Sequence, residues 1–411
     1  MGTGTRAIVI GAGAPGLCCA RELRAAGFDV TVVDAAAPGS GCSWGNAGLV
    51  TPSHFVPLAE ASLLWKGLKW MLNPSSPFYL RPRLDFGLLA WLGRFAWAAR
   101  RSTCEVHTLV LRDLLLESRR RFDGLAELDF GFEAKGLLML HRSPEGKAGN
   151  VHEAELGRRL GLHPRLVSGT DLEVLEPSGV IQAGEAVFWP DDAHLDPARF
   201  TAALAAEAQA NGVTFLQAAA AAFVAEGGRV RGVRTSGGDV EGDVFVLAAG
   251  CASPGLSKTL GLKLPMQPGK GYSFDVVPSR LPRLPSILAE ARVAVTPMGD
   301  RLRLAGTMEL SGMDLSISRR RVEAIHRASK DYLDLEMPPI PEQPWAGLRP
   351  CSPDGLPYLG PFTRFPNLHA ATGHAMLGIG LAPITGVLVA EAATGAKPTL
   401  PLEPFRPDRF A

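Results

Sequence analysis

The strongest constraint on the fold lies in the first 34 residues. An apolar run, Ala7–Ile10, leads into a turn with glycines at Gly11, Gly13 and Gly16, then a helix-like stretch and a second apolar run that ends at Asp34. The first glycine permits a tight turn, the second lets a pyrophosphate approach the backbone, and the third lets a helix lie close to the strand. The acid is placed to accept hydrogen bonds from an adenosine ribose and disfavours NADP. The sequence therefore predicts a dinucleotide-binding βαβ unit.

Composition limits the class of protein. The chain has 411 residues and is 46% hydrophobic, which suits two or three domains with large cores. Its 42 Lys and Arg residues nearly balance its 41 Asp and Glu residues, leaving a formal charge of +1. This balance provides no basic surface for nucleic acid, so no nucleic-acid partner is predicted.

The cysteines and the apolar runs bear on the compartment. Six cysteines form neither a C-x-x-C pair nor a zinc-type spacing, so we expect no metal site and a reducing environment. The start of the chain lacks a secretory pattern, and no apolar run approaches the roughly 20 residues that span a bilayer. We therefore expect a cytoplasmic protein, with any membrane contact being peripheral at the inner membrane.

Two later segments repeat the strand, loop and helix pattern. Asp196-Pro197 predicts the start of a helix, and the apolar run 243–250 predicts a buried strand that ends in small residues. Near the end of the chain, 367–371 predicts a strand, followed by a glycine-rich turn and a helix that Gly395 ends. The division predicted from this recurrence is a discontinuous nucleotide-binding domain (1–57, 165–260 and 345–411) and a substrate domain (58–164 and 261–344).

An aromatic and basic stretch lies between Leu58 and Ser102. Its tryptophans alternate with cations: Trp65, Trp70, Trp91 and Trp97 stand among Lys66, Lys69, Arg81, Arg83, Arg94, Arg100 and Arg101. One interpretation is a helical pair packed on the cofactor domain. The other is a peripheral patch that contacts a membrane or a quinone.

Several segments together form a recognisable combination: Gly11–Gly16 with Asp34, Ser43–Leu49, Ala249-Gly250, Gly269–Ser273, Gly347–Pro350 with Pro353–Gly355, and Thr372–His374. Over nearly the whole chain this combination resembles the FAD-dependent D-amino acid oxidase superfamily, and within it the bacterial D-amino acid dehydrogenase branch. The resemblance implies an α/β and α+β fold: a Rossmann-like FAD-binding domain joined to an antiparallel-sheet substrate domain with helices.

The resemblance also implies contacts with FAD. The stretch 42–49 corresponds to the family's flavin loop, 376–380 to the loop beside the flavin pyrimidine, and the strand around Ala221 to the adenine side. The implied cofactor-binding residues are Gly11, Gly13, Ala14, Pro15, Gly16, Asp34, Ala35, Cys42, Ser43, Asn46, Ala47, Gly48, Leu49, Ala221, Ala249, Gly250, Gly373, Met376, Leu377, Gly378, Ile379 and Gly380. Cys351 does not match the offset of the family's covalent flavin attachment, so noncovalent FAD is expected.

Arg349 is the main candidate for substrate binding. Its guanidinium can hold an amino acid carboxylate with two parallel hydrogen bonds, although an interdomain ion pair is the alternative. The Tyr272 hydroxyl can hold the same carboxylate or be a buried hydrogen-bonding group. His374 and His54 are weaker catalytic candidates, because a single histidine is more often a structural hydrogen-bonding residue.

The implied reaction is oxidation of a D-amino acid to an imino acid, hydrolysed to a 2-oxo acid, with electrons passed to a quinone or other acceptor. D-Proline and hydroxyproline are one subset of substrates. The first alternative is a glycine, sarcosine or proline-type amine oxidase that uses oxygen. An NAD-dependent dehydrogenase and a non-catalytic flavoprotein subunit are further alternatives.

Overall fold

A computed structural model describes residues 4–59, 76–125 and 127–411. Its α-helices are α1 (Ala14–Ala25), α2 (Phe86–Ala98), α3 (Arg101–Asp123), α4 (Pro144–Arg159), α5 (Thr170–Leu175), α6 (Pro197–Ala210), α7 (Ser253–Lys258), α8 (Arg319–Tyr332) and α9 (Ala382–Thr394). Its strands are β1 (Arg6–Ile10), β2 (Asp29–Asp34), β3 (Leu49–Val50), β4 (Phe78–Leu80), β5 (Leu137–Leu140), β6 (Arg165–Ser168), β7 (Glu185–Trp189), β8 (Ala193–His194), β9 (Thr214–Gln217), β10 (Ala220–Glu226), β11 (Arg229–Thr235), β12 (Gly238–Glu241), β13 (Val244–Leu247), β14 (Gln267–Val276), β15 (Ser286–Leu288), β16 (Val293–Met298), β17 (Arg301–Leu310), β18 (Trp345–Cys351), β19 (Tyr358–Phe362) and β20 (Phe365–Thr372).

A six-stranded sheet forms the nucleotide-binding half of the fold. Its strand order is β19-β20-β13-β1-β2-β9, and every pair is parallel except β19 with β20. Both faces are covered: α1, α6 and α9 pack on one, and the antiparallel sheet β10-β11-β12 packs on the other. Burial on both faces explains why β1 and β13 are continuous apolar runs. The predicted Rossmann-like fold is confirmed.

A nine-stranded, mainly antiparallel sheet forms the second half. Its strand order is β18-β14-β17-β16-β15-β5-β7-β6, with β4 paired to β17 outside this path. Helix α8 packs on it through Val322 and Ile325, which join the apolar core of the sheet. The α+β part of the predicted fold class is therefore present.

Two helix boundaries follow local sequence signals. The Asp196 carboxylate caps α6, because its Oδ1 accepts hydrogen bonds from the N–H groups of Ala198 (3.0 Å) and Arg199 (3.3 Å). Helix α9 is followed by Gly395, which adopts the left-handed conformation with φ of 74°. Both boundaries confirm the predicted helices.

Strand pairing divides the chain differently from the predicted domain ranges. β6, β7 and β18 hydrogen-bond within the nine-stranded sheet, although all three fall in ranges expected in the nucleotide-binding domain. Partners such as Leu138 and Phe188 are fifty residues apart, so local patterns do not reveal the pairing. The domain boundaries themselves stay a prediction.

Close contact between α1 and β1 leads to a stability prediction. A Cβ atom on Gly16 would lie 1.9 Å from the backbone oxygen of Gly11. We expect Gly16→Ala to push α1 away from the sheet, to lower the free energy of unfolding by about 1–3 kcal/mol, and to reduce FAD content. Urea unfolding and the flavin-to-protein absorbance ratio measure the two effects.

Gly93→Ala is the matched control. A Cβ atom there meets no atom within 4 Å, and the residue lies within helix α2. Equal destabilisation by both substitutions would contradict the close approach at Gly16.

Candidate active site

A cavity of about 2420 Å³ lies where the carboxyl ends of the parallel strands meet the nine-stranded sheet. Ligands of open α/β sheets bind at this edge. Sites for a single drug-sized ligand measure roughly 300–1,000 Å³. The cavity therefore has room for a dinucleotide and a second small molecule.

The turn before α1 is built to receive phosphate. Gly11 has φ of 112°, and a Cβ atom on it would lie 2.4 Å from the Ala248 oxygen. A Cβ atom on Gly13 would approach Ser43 Oγ at 3.3 Å, so the backbone at the helix start is open to the cavity. The Ser43 hydroxyl accepts the Ala14 N–H at 3.0 Å, at the positive end of the helix dipole. These residues fit the pyrophosphate of FAD.

Asp34 lies at the end of β2 on the cavity wall. Its Oδ2 accepts the Ala12 N–H at 2.7 Å, and its Oδ1 accepts the Ala36 N–H at 2.9 Å. These bonds fix the carboxylate and leave each oxygen with capacity for a further hydrogen bond. The arrangement fits the two hydroxyls of an adenosine ribose.

The stretch 42–49, called here the flavin loop, is tied to two strands of the nine-stranded sheet. The Cys42 thiol donates to the Leu348 oxygen at 2.9 Å, and Ser273 Oγ donates to the Gly45 oxygen at 2.8 Å. Asn46 Nδ2 donates to the Met376 oxygen at 3.3 Å, which joins the loop to the glycine-rich turn before α9. The structure therefore brings together the two loops that were expected to flank the flavin.

Most of the predicted site residues line one cavity. They are Gly11, Gly13, Pro15, Asp34, Ala35, Cys42, Ser43, Asn46, Ala47, Leu49, His54, Ala249, Gly250, Tyr272, Arg349, His374, Met376, Leu377, Gly378 and Ile379. Outside the lining are Ala14, Gly16, Gly48, Ala221, Gly373 and Gly380.

Ala221, expected on the adenine side, is not among the residues that line the cavity. It is exposed on β10, while its neighbours Ala219 and Ala220 line the cavity. The ladder between β10 and β11 shifts register between Ala220 and Ala222. In a run of alanines this irregularity leaves no trace in the sequence, and the adenine-side contact at Ala221 stays a prediction.

Arg349 places a half-buried positive charge on the cavity wall. Its Nη1 donates to the Thr307 oxygen at 2.6 Å, and within the described ranges no carboxylate lies in ion-pair distance. Burial lowers the pKa of the Arg349 guanidinium, which shows that the charge is poorly compensated. A Cβ atom on Gly271 would lie 2.2 Å from both terminal nitrogens, so this glycine gives the guanidinium its space. The interdomain ion pair considered for this arginine is not what the described residues form.

Tyr272 contributes its ring to the cavity, but its hydroxyl is already engaged. The hydroxyl donates to Glu309 Oε1 at 2.7 Å and accepts the Ser318 N–H at 3.3 Å. Burial and Glu309 raise the pKa of the phenol. These contacts favour a packing role over contact with a substrate carboxylate.

The two histidine candidates differ in their surroundings. Burial lowers the pKa of His374 to about 3, and its Nε2 lies 2.9 Å from Thr385 Oγ1, which ties the ring to α9. Burial, with Arg292 nearby, lowers the pKa of His54 to about 4, and its Nδ1 lies 3.0 Å from Ser53 Oγ. His374 therefore has a structural environment, whereas His54 connects the cavity to a buried serine.

Two wall residues were not expected from the sequence. Thr307 lines the cavity beside Arg349 with φ of 68°, and Trp345 lines it at the start of β18. A Cβ atom on Gly45 or Gly347 would overlap the Trp345 ring, at 2.2 Å and 1.9 Å respectively. The glycines at 45 and 347 were the sequence signal of this crowding.

The aromatic and basic stretch is described only in part. Trp65, Lys66, Lys69 and Trp70 lie outside the described residues. Trp91 is buried in α2 and donates its indole N–H to the Cys351 oxygen at 3.0 Å, whereas Trp97 is exposed. Within the described ranges, no helix is both long and apolar enough to cross a membrane.

Comparison with known proteins gives a consistent assignment. A family model described as FAD dependent oxidoreductase matches residues 6–392. A D-amino acid dehydrogenase from Paramagnetospirillum magneticum is 35% identical over 421 residues, covering 98% of this chain and 99% of the relative. One from Bradyrhizobium diazoefficiens is 32% identical over 426 residues, covering 99% of both chains.

Solved structures agree on the fold. Glycine oxidase from Bacillus cereus has a TM-score of 0.75 at 24% identity and covers 95% of each chain. L-Proline dehydrogenase from P. horikoshii has a TM-score of 0.75 at 20% identity, covering 100% of this chain and 98% of that one. With the match along almost its entire length, the chain belongs to the FAD-dependent oxidoreductase family, and its cofactor is FAD.

Proposed function

We propose that this protein oxidises a D-amino acid to an imino acid, which water converts to a 2-oxo acid and ammonia. The supporting observation is Arg349, a half-buried cation that lines the cavity and lacks a carboxylate partner among the described residues. A substrate carboxylate supplies the missing charge. The D configuration is supported by the names of the relatives, which are D-amino acid dehydrogenases.

The chain's own residues position the substrate. When bound, FAD accepts the hydride that leaves the substrate Cα. Arg349 holds the carboxylate with its planar fork, while the Thr307 oxygen fixes the guanidinium from behind. The apolar side chains Trp91 and Phe95 on the cavity wall exclude water from the site. Fixed geometry of this kind lowers the barrier to the hydride step, which needs no base at Cα.

Replacement of Arg349 tests this role. We expect Arg349→Ala to raise KM for every D-amino acid substrate at least about 30-fold, because truncating one partner of a buried charge pair costs about 2–5 kcal/mol. We expect kcat to fall as well, because orientation of the Cα–H is lost. Arg349→Lys keeps the charge without the fork and should recover only part of the loss.

Flavin content and a control arginine complete this test. The variants should bind FAD like the original protein, as measured by flavin absorbance. Arg364→Ala removes an arginine outside the cavity lining, whose Nη1 contacts the Leu260 oxygen at 3.4 Å, and should leave KM unchanged. An unchanged KM in Arg349→Ala would remove Arg349 from the substrate site.

A quinone or similar apolar acceptor is the second part of the proposal. Leu84, Phe86, Leu89, Met313 and Leu315 are exposed and form what is called here the apolar patch. The patch comes from two parts of the chain, 84–89 and 313–315. The residues just before them are in contact, because the Arg81 N–H and Arg83 Nη1 both donate to the Leu310 oxygen, at 3.2 Å and 2.8 Å. Met313 and Leu315 also line the cavity, so the patch continues into the site. This continuity supports peripheral contact with a membrane that holds the acceptor.

Removal of the apolar patch tests the membrane contact. We expect the double variant Leu84→Ser/Phe86→Ser to sediment less with phosphatidylethanolamine and phosphatidylglycerol vesicles. We also expect slower reduction of a long-tailed quinone and an unchanged rate with a water-soluble dye. Val174→Ser, at an exposed position of α5, is the control. If the original protein stays in the supernatant with these vesicles, the membrane contact is wrong.

The alternative acceptor is oxygen, as in a glycine, sarcosine or proline-type amine oxidase. The shared fold with glycine oxidase and L-proline dehydrogenase favours keeping this candidate. A panel of D-amino acids, glycine, sarcosine and L-proline, scored by anaerobic flavin bleaching, identifies the substrate. Rapid peroxide formation in air would favour the oxidase, and fast turnover only with a quinone or dye would favour the dehydrogenase. The NAD-dependent alternative is wrong, since the family uses FAD.

We further propose that FAD is held without a covalent bond. The Cys351 thiol lies outside the cavity lining and donates to the Arg349 oxygen at 3.4 Å, and burial raises its pKa to about 12. We expect acid precipitation of the protein to release all the yellow colour into the supernatant. A pellet that stays yellow would contradict this prediction.

A further inference from the structure

Asp192 is a buried carboxyl that has no part in the substrate positioning described above. It precedes β8, is fully shielded from solvent, and forms no ion pair with any described residue. Its oxygens accept two hydrogen bonds from one residue, from the Ser53 N–H at 3.0 Å and from Ser53 Oγ at 2.5 Å. Burial raises the pKa of Asp192 to about 8, against the effect of these bonds, and the carboxylates Asp191 and Glu153 add to the rise. This carboxyl therefore gains or loses a proton near neutral pH.

A chain of hydrogen bonds leads from this carboxyl to the cavity. Ser53 Oγ also lies 3.0 Å from Nδ1 of His54. Because the serine proton is donated to Asp192, the His54 Nδ1–H donates to the serine oxygen, which leaves Nε2 as an acceptor. His54 lines the cavity, and its Nε2 makes no hydrogen bond with any described residue. The chain ends at an unprotonated nitrogen that faces the site.

The segment that carries His54 lies along the cavity wall. Leu49, at the end of the flavin loop, and Leu58 both line the cavity, and His54 lies between them in the chain. A Cβ atom on Gly355 would approach the Leu58 nitrogen at 3.0 Å, which brings the segment against the turn that follows the strand of Arg349. His54 thus belongs to a segment that begins after the flavin loop, lines the cavity and reaches the turn after β18 at Leu58.

We propose that Asp192, Ser53 and His54 form a proton relay that removes the ammonium proton of the bound amino acid. This inference rests on the proposed oxidation of a D-amino acid, which requires the amine lone pair to be free. His54 Nε2 takes the proton, Nδ1 gives its own proton to Ser53 Oγ, and Ser53 gives its proton to the Asp192 carboxylate. The net result of the three transfers is that one proton passes from the ammonium group to Asp192. His54 and Ser53 end neutral, and Asp192 ends as the neutral acid.

The surrounding charges favour passage of the proton through His54 and disfavour a lasting protonated His54. Burial and Arg292 lower the pKa of His54 to about 4, so a lasting imidazolium is unfavourable. Asp191, which pairs with His163 at the surface, and Glu153 are the carboxylates that act on Asp192. They favour the protonated form of Asp192, and hence its role as the final acceptor.

The test compares the pH dependence of flavin bleaching by substrate in anaerobic stopped flow. In the original protein the rate should rise with pH to a plateau above about pH 8, because the relay needs the carboxylate form of Asp192. Asp192→Asn and His54→Gln should each abolish this rise of the rate with pH. Each should also slow bleaching at pH 7 about 100-fold, as expected for loss of positioned proton transfer. The double variant should be no slower than either single one, because both break the same path.

A second readout does not depend on turnover. Infrared difference spectra of the original protein without substrate should show a carboxyl band that titrates near pH 8. The band should be absent in Asp192→Asn and kept in Asp191→Asn, the matched control from the adjacent carboxylate. Reoxidation of the flavin by a dye should be unchanged in all variants.

The outcomes separate the relay from the proposed function. If no D-amino acid bleaches the original protein, the proposed function fails. If bleaching occurs and Asp192→Asn and His54→Gln keep the original pH profile, the relay is wrong. Ser53→Ala provides the independent check, since it breaks the path while leaving both titrating groups in place.

Discussion

A network of charged side chains around Arg303 joins the nine-stranded sheet to the flavin loop and to α6. Arg303 is 1% exposed on β17, and its guanidinium pairs with Asp275 on the adjacent strand at 2.7 and 3.0 Å. The remaining Nη1 donates to the Trp44 and Asn46 oxygens of the flavin loop, at 2.9 and 3.0 Å. One side chain thus holds the nine-stranded sheet against the loop that flanks the flavin.

The same network reaches the helix layer. Arg301 binds Asp275 with Nη1 and Asp196 with Nη2, each at 2.6 Å, and Asp196 is also the cap of α6. Of the two arginines, Arg303 is the buried one, and loss of its partner Asp275 would cost about 3–5 kcal/mol, because the guanidinium would stay buried alone. The relative position of the nine-stranded sheet, the flavin loop and α6 therefore depends on fixed charges as well as on apolar packing.

Backbone strain is concentrated at the cavity wall. Among the described residues, the non-glycine positions with positive φ are Arg292, Thr307 and Ala375, and all three line the cavity. Each such residue costs on the order of 1–3 kcal/mol and persists where its surroundings determine the conformation. Thr307 turns its oxygen towards Arg349, and the Ala375 N–H donates to the Pro350 oxygen at 2.9 Å. The strained residues Thr307 and Ala375 therefore each hold the strand that carries Arg349.

Sequence patterns determined the parts of the site that depend on local structure. The glycine turn and the cap at Asp196 act within a few residues, and Asp34 bonds Ala12, 22 residues away, inside the same βαβ unit. Their spacing was therefore sufficient to predict them. The Tyr272 hydroxyl was harder to assign, because its partner Glu309 is 37 residues away on another strand. The hydrogen bond between Ser53 and Asp192 spans 139 residues and joins two loops with no shared pattern. Such contacts depend on strand order, which local periodicity does not contain.

The charges around the cavity suit a zwitterion whose carboxylate stays ionised and whose ammonium group loses its proton. A carboxylate must stay ionised throughout, and Arg349 offers it a permanent charge, since a guanidinium keeps its proton even when burial lowers its pKa. An ammonium group must lose its charge before the Cα–H can leave as hydride, and a second fixed anion would oppose that loss. Asp192 meets this need because it is separated from the cavity by Ser53 and His54 and becomes neutral when it receives the proton. A permanent cation at one end and a chargeable acid held at a distance at the other are what an amine oxidation requires of its protein.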